Sequence, residues 1–117
     1  MSINLNRRNN EYRIKVGARA VLLLNIKDST GTTKDLTDTE TYYSGLWKVW
    51  KPDGTLIING AITFEDRVNG VIGYALSADD TALANAGVWE GEVELKNDTG
   101  VMTEQTGTFD FIIEESY

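Results

Sequence analysis

Apolar and polar side chains alternate in short runs along most of the chain. In the first run, Tyr12, Ile14 and Val16 alternate with charged residues, as in a strand with one buried face. Residues that favour turns, such as Gly, Asn and Asp, separate this run from those that follow. The pattern predicts strands within the segments 11–16, 19–28, 44–60, 61–66, 71–76, 88–98 and 106–115.

Two neighbouring segments predict how the strands are arranged. Segment 19–28 is apolar on both of its faces, which predicts a central strand in a packed sheet. The connection that follows, residues 27–45, is long and predicts a crossover from one sheet to another, as in a Greek key.

The segment 44–60 carries the clearest hairpin signal. Pro52 has the backbone angle that suits the first central position of a turn, and Gly54 can adopt the left-handed conformation that closes it. The pair Asn69–Gly70 gives a second turn signal between the next two predicted strands. We therefore expect two antiparallel strand pairs in this part of the chain.

One short stretch has helical character. Ser77 can act as the N-cap, and Asp79 and Asp80 then lie in the first turn, where the helix dipole favours negative charge. Gly87 ends the stretch. Because adjacent residues on a helix point about 100° apart, the two aspartates are interpreted as capping residues and not as an acid–base pair.

The predicted fold class is all-β. Short strands spaced by turns indicate an antiparallel immunoglobulin-like β-sandwich of about seven or eight strands, with one short helical turn near residues 78–85. A small closed barrel is the second possibility. The length of 117 residues predicts a single domain over residues 11–117, preceded by a polar, flexible N-terminal arm at residues 1–10.

Composition argues against most enzyme classes. The chain has no cysteine and no histidine, so it can form neither a disulfide nor a catalytic dyad or triad that uses those residues. No phosphate-binding glycine loop or nucleophile elbow occurs, and we expect no catalytic residue, metal or cofactor. The apolar run at residues 20–26 is too short to span a membrane, and no secretory signal is visible at the N-terminus.

The net charge of −7 predicts the kind of partner. An acidic domain repels phosphate backbones, so nucleic-acid binding is disfavoured and a basic protein surface is favoured. Glu90, Glu92 and Glu94 alternate and therefore share one face of a strand, opposite an apolar face. That acidic face is interpreted either as a solvated surface or as a contact for a basic partner.

Aromatic residues suggest a second kind of surface. Trp47 and Trp50 fall on opposite faces of one strand, so we expect one in the core and the other exposed. Together with Tyr42 and Tyr43, the exposed tryptophan could form a platform for a sugar ring, although packing is the more common role of such residues.

The N-terminal arm contains an arginine pair. Arg7 and Arg8 are too few for a nucleic-acid patch, but they could grip an acidic neighbour when the arm orders during assembly. A frayed tail is the alternative interpretation.

Three segments resemble a known family: "KDLTDTETYYSGLWKVWKPDGTLIINGA", "NGVIGYALSADDTALANAGVWEGEVEL" and "TGTFDFIIEES". They are similar to the immunoglobulin-like N-terminal domain of the upper baseplate proteins of tailed phages and to related modules on tails and head fibres. The resemblance covers about residues 12–115. It implies a non-enzymatic virion structural protein, made in the host cytoplasm, that acts as an adaptor or decoration module.

The resemblance also implies partners. These are other tail, baseplate or capsid proteins, including copies of the chain itself, and no nucleic acid or membrane. A carbohydrate-binding module that contacts host-cell glycans is the alternative function. The residues predicted to contact a partner are Arg7, Arg8, Tyr42, Tyr43, Glu90, Glu92 and Glu94.

Overall fold

The computed structural model describes residues 11–28 and 30–115 of the chain. The strands within these residues are β1 (Glu11–Lys15), β2 (Ala20–Asn25), β3 (Ser44–Trp50), β4 (Leu56–Ala61), β5 (Thr63–Asp66), β6 (Val71–Leu76), β7 (Gly87–Lys96), β8 (Met102–Gln105) and β9 (Phe109–Glu114). A single 3₁₀ turn, Leu83–Asn85, precedes β7. The described part of the chain contains no helix long and apolar enough to cross a membrane. The predicted arm at residues 1–10 lies outside the described residues.

The strands form two sheets. The large sheet has the order β1-β9-β7-β3-β4, with β8 beside the C-terminal half of β7, and the small sheet has the order β2-β6-β5. In an immunoglobulin-like sandwich, strands B, E and D face strands G, F, C and C′, and the order here is compatible with that arrangement. The predicted all-β sandwich is confirmed, with nine strands in place of seven or eight.

One strand pair is parallel, which corrects the expectation of a wholly antiparallel fold. Strand β1 pairs with β9 in parallel, from Glu11 opposite Asp110 to Lys15 opposite Glu114. A parallel pair needs a long connection, and here nearly the whole domain lies between the two strands. Their pairing therefore depends on tertiary structure and has no local sequence signal.

The predicted last strand, residues 106–115, begins later than expected. Strand β9 starts at Phe109, and β8 is a separate short strand along the same edge of β7. Between them the Thr106 hydroxyl accepts a hydrogen bond from the Val93 amide (2.9 Å), in place of a backbone carbonyl. The registers on either side of Thr106 differ by one residue, as at a β-bulge.

The hairpin predicted in segment 44–60 is confirmed. Strands β3 and β4 are antiparallel neighbours, and Gly54 has a φ of 89°, the left-handed conformation that glycine adopts without strain. The Gly54 amide donates to the Lys51 carbonyl (2.8 Å), and the Asp53 carboxylate accepts from the Thr55 amide (2.9 Å). These bonds close the turn as the local sequence predicts.

The crossover between the sheets is also confirmed. Residues 26–43 leave the small sheet after β2 and enter the large sheet at β3. Leu36 anchors this connection, since its side chain is fully buried in the core. The Arg67 guanidinium donates to the Leu36 and Tyr42 carbonyls (both 2.9 Å) and stacks on Phe64, with 3.8 Å between its central carbon and the ring centroid.

Strand β2 is an edge strand and not the predicted central strand. Its inner face packs in the core, but its outer face is open and Val21 is 58% exposed. The Tyr12 hydroxyl donates to the Leu23 carbonyl (2.8 Å), so a side chain from β1 covers part of the β2 edge. Edge strands of folded proteins are commonly protected in some such way. The apolar outer face misled the sequence-based prediction.

The aspartates at residues 79 and 80 lie in a turn and not in a regular helix. Ser77 and Asp80 exchange hydrogen bonds, since the Asp80 amide donates to the serine hydroxyl (3.2 Å) and the Ser77 amide donates to the carboxylate (3.0 Å). The same carboxylate accepts a bond from the Tyr74 hydroxyl (2.7 Å). The predicted helix start at Ser77 is therefore wrong, since the only helical turn of the described residues is Leu83–Asn85 and it has no acidic residue in its first turn. The hydrogen bonds between Ser77 and Asp80 instead close the turn that follows β6.

The core lies between the two sheets. Trp47 is completely buried at its centre, stacked on Tyr74 at 5.8 Å between ring centroids and in edge contact with Tyr12. This confirms the prediction that one of the two tryptophans of β3 is buried. The buried apolar residues are Tyr12, Leu22, Leu24, Ile26, Leu36, Trp47, Val49, Ile58, Ile62, Ile72, Tyr74, Leu76, Val93, Leu95, Phe109, Phe111 and Ile113.

Candidate protein-interaction surface

The outer face of the large sheet presents the three predicted glutamates. In β7, Gly91, Val93 and Leu95 are buried, and the glutamates that alternate with them point away from the core. The predicted alternation along β7 is therefore confirmed. Its use for partner contact stays a prediction.

The glutamates differ in their surroundings. The Glu94 carboxylate lies 3.0 Å from the Lys48 ammonium and is only 14% exposed. Glu92 lies opposite Lys48 in the register between β3 and β7. One lysine of the same domain therefore offsets part of the negative charge at this end of the face.

Glu90 lies in a different environment at the other end of the face. It is opposite Trp50 on β3 and opposite Asp110 on β9, and Asp110 is in turn opposite Glu11 on β1. A tryptophan and three carboxylates thus form one row across four strands. Among residues 11–28 and 30–115, no lysine or arginine lies within ion-pair distance of Glu90 or Asp110.

The nearby edge of the same face shows how carboxylates elsewhere are compensated. Glu114 accepts hydrogen bonds from Arg13 (2.6 Å) and Lys15 (3.2 Å). These bonds, that from Arg13 first, hold the pKa of the Glu114 carboxyl below its usual range. Glu90 and Asp110 lack such partners in the described structure.

A small cleft of about 170 Å³ lies beside this row. Its lining combines apolar and aromatic side chains with two carboxylates, and we name it the Trp50–Glu90 cleft. It is lined by Trp50, Pro52, Val88, Trp89, Glu90 and Asp110.

Local contacts hold the cleft in shape. The Trp89 indole N–H donates to the Asn85 carbonyl of the 3₁₀ turn (2.7 Å), which fixes the orientation of that ring. The Lys51 ammonium lies 5.4 Å from the centroid of the same indole. Val88 at the rim is 63% exposed. The cleft is therefore pre-formed and accessible.

The predicted tyrosines lie at the opposite end of the sheet. Tyr42 is half-buried against the core, whereas Tyr43 is 62% exposed and its amide donates to the Lys96 carbonyl (2.9 Å). Trp50 lies six residues along β3 from Ser44, or about 20 Å at the rise of an extended strand. The structure does not bring the two tyrosines and Trp50 together into one platform.

The remaining predicted contacts, Arg7 and Arg8, lie outside the described residues and stay predictions. The sequence-based reasoning missed Asp110, Val88 and Pro52. The alternation in "TFDF" indicates that Asp110 points away from two buried phenylalanines, but its position opposite Glu90 depends on strand register. The described residues contain no group of three or more acidic side chains that could hold a metal ion.

Comparison with known proteins identifies the fold. No family model matches the chain, and no curated protein matches it. Among solved structures, the N-terminal domain of phage TP901-1 ORF48 aligns with a TM-score of 0.71 and 18% identity, over 97% of this chain and 94% of that one. CopC from Methylosinus trichosporium OB3b aligns with a TM-score of 0.49 and 10% identity, over 90% of this chain and 86% of that chain.

This chain has the fold of the TP901-1 ORF48 N-terminal domain. The match extends over nearly the whole of both chains, and it confirms, for the fold, the resemblance to a phage domain noted in the three sequence segments.

Proposed function

We propose that this chain is a non-enzymatic structural module of a tailed-phage virion that binds other virion proteins. The observation that carries the proposal is the structural match to a domain of a phage protein over 97% of the chain. The three sequence segments that resemble upper baseplate proteins of tailed phages support the same assignment, independently of the fold.

The geometry suits binding more than catalysis. The sequence lacks histidine and cysteine, and the paired carboxylates Glu90 and Asp110 lie beside no serine, threonine or lysine nucleophile in the lining of the cleft. Two features offer contact surfaces: the acidic outer face of the large sheet and the open edges of both sheets. An open edge presents backbone groups that can pair with a strand of another protein.

The same proposal includes the role of the module on the particle. The module acts as an adaptor or decoration domain on the tail, baseplate or capsid, in contact with other virion proteins and with copies of itself. A carbohydrate-binding function has less support, because Tyr42 packs against the core and lies far from Trp50.

Purified particles provide the test. Phage particles whose genome encodes the chain are banded on a density gradient, and their proteins are quantified by mass spectrometry against the major capsid protein. We expect the chain at a fixed stoichiometry, and cross-linking should join it to a tail, baseplate or capsid protein. Its absence from the banded particles, together with its presence in the infected lysate, would contradict the proposal.

A further inference from the structure

The Trp50–Glu90 cleft combines negative charge with two half-buried aromatic side chains. Glu90 and Asp110 are directly opposite each other on β7 and β9, where β-carbons are about 5 Å apart. Like charges in that position destabilise a sheet, and no cation among residues 11–28 and 30–115 pairs with either carboxylate. By contrast, Glu94 and Glu114 on the same face both have basic partners.

One of the two indoles that line the cleft already contacts a cation. Lys51 lies over the Trp89 ring at 5.4 Å, within the range of a cation–π interaction. Trp50 lies opposite Glu90 and lines the cleft from the neighbouring strand. A second cation entering the cleft would therefore meet an indole on one side and two carboxylates on the other.

We propose that the Trp50–Glu90 cleft receives an arginine side chain carried by a partner protein. This inference deepens, and rests on, the proposed role as a virion-binding module. A guanidinium is planar, donates to two acceptors at once and stacks on aromatic rings, so it can bridge Glu90 and Asp110 while lying against Trp50. It also supplies a positive charge, which this pair of carboxylates lacks among the residues that the structure describes.

The size and charge of the cleft favour an arginine over a sugar. Its volume of about 170 Å³ suits one side chain, whereas small-molecule pockets usually have about 300–1,000 Å³. The hydroxyl groups of a neutral sugar would accept or donate hydrogen bonds but would leave the repulsion between the carboxylates uncompensated. Charge complementarity therefore selects a basic protein segment as the occupant.

A titration of the full chain with N-acetylarginine amide tests the inference, with the neutral isostere N-acetylcitrulline amide as the ligand control. Binding is followed through the NMR signals of the indole N–H groups of Trp50 and Trp89. We expect saturable shifts with the arginine probe and at least a tenfold weaker response with citrulline. Equal responses to both probes, or shifts confined to other residues, would overturn the proposal.

Variants separate a binding role from a structural one. Glu90→Gln combined with Asp110→Asn should weaken arginine binding at least tenfold while leaving the thermal midpoint of unfolding unchanged or raised, because a repulsive pair is removed. Glu40→Gln, at an exposed turn position remote from the cleft, is the matched control and should change neither quantity. A lowered midpoint with unchanged binding would mean that the two carboxylates are only structural.

Two further outcomes identify other occupants. The first outcome concerns the double variant Arg7→Gln/Arg8→Gln. If its Trp50 signal is shifted in the absence of any probe, and if it binds the arginine probe more tightly than the unsubstituted chain does, the chain's own N-terminal segment fills the cleft and the partner assignment is wrong. Saturable shifts with cell-wall oligosaccharides, abolished by Trp50→Ala, would assign the cleft to a glycan.

The cleft inference and the virion proposal can fail separately. If the chain is present in particles but the arginine probe does not bind, only the cleft inference is wrong. If the probe binds but particles lack the chain, the virion proposal falls.

Discussion

Replacement of Gly60 by alanine tests how closely the two sheets pack. Gly60 lies on β4 opposite Trp47, and a β-carbon built on it would come within 2.5 Å of the Tyr74 Cε1 atom and 2.8 Å of its hydroxyl oxygen. Tyr74 has little freedom to move away, because its ring stacks on Trp47 and its hydroxyl is bonded to Asp80. The extra methyl group must therefore distort the core.

The expected magnitude follows from two opposing effects. Overpacking a core typically costs about 1–3 kcal/mol, whereas a glycine-to-alanine change at a compatible backbone position stabilises by about 0.4–1 kcal/mol through the unfolded state. We therefore expect Gly60→Ala to lower the free energy of unfolding by about 1–2 kcal/mol. For a domain of this length, that corresponds to a thermal midpoint lower by roughly 4–8 °C.

Urea denaturation followed by tryptophan fluorescence measures the effect, with two comparisons. Gly107→Ala is the matched control, since a β-carbon there has no neighbour within 4 Å, and it should be neutral or slightly stabilising. In a Tyr74→Leu background the cost of Gly60→Ala should largely disappear, as a double-mutant cycle would show. An undiminished cost in that background, or a stabilising Gly60→Ala, would refute the contact with Tyr74 as the cause.

Three other predictions concern hydrogen bonds of the turns and edges. Asp80→Asn should lower the free energy of unfolding by about 1–2 kcal/mol in urea denaturation, because the Tyr74 hydroxyl and the Ser77 amide lose a charged acceptor. Asp79→Asn, at the neighbouring exposed position, should change it by less than about 0.5 kcal/mol. Equal effects of the two variants would contradict the structural role assigned to the Asp80 carboxylate. Tyr12→Phe removes the hydroxyl that joins β1 to the β2 edge and should cost about 0.5–1.5 kcal/mol by the same measurement, and no loss would mean that water replaces the bond. Hydrogen bonds, first from the Thr41 hydroxyl and then from backbone amides, hold the pKa of Asp38 below its usual range. The stabilising contribution of this carboxylate is therefore present at neutral pH and is lost as the pH falls below about 4. In Asp38→Asn the urea midpoint should depend less steeply on pH in that range, and an unchanged slope would contradict this contribution.

Local patterns were sufficient for much of the fold. Alternation of side chains correctly predicted which face of β7 is buried, because successive residues of any strand point to opposite sides. Pro52 and Gly54 correctly predicted the β3–β4 turn, since backbone preferences of single residues determine its geometry. The bonds between Ser77 and Asp80 also follow from chemistry within four residues.

Local patterns misled where a strand's neighbours matter. Strand β2 is apolar on both faces, yet it lies at an edge where Val21 is exposed and the Tyr12 hydroxyl reaches the Leu23 carbonyl. The residue that covers this edge comes from another strand, so no periodicity within β2 can indicate it.

The candidate site divides in the same way. The sequence alone predicts that Glu90 lies on an outer strand face and that the excess of negative charge favours a basic partner. It also predicts one buried and one exposed tryptophan on β3, whereas Trp47 is buried and Trp50 is half-buried. Only the tertiary structure decided that Asp110 lies opposite Glu90, that Lys48 neutralises Glu94, and that Tyr42 and Tyr43 lie at the far end of the sheet. The physical reason is that side-chain direction is a local property of the backbone. Register and strand order instead depend on contacts between residues far apart in the chain, which form only when the whole core packs.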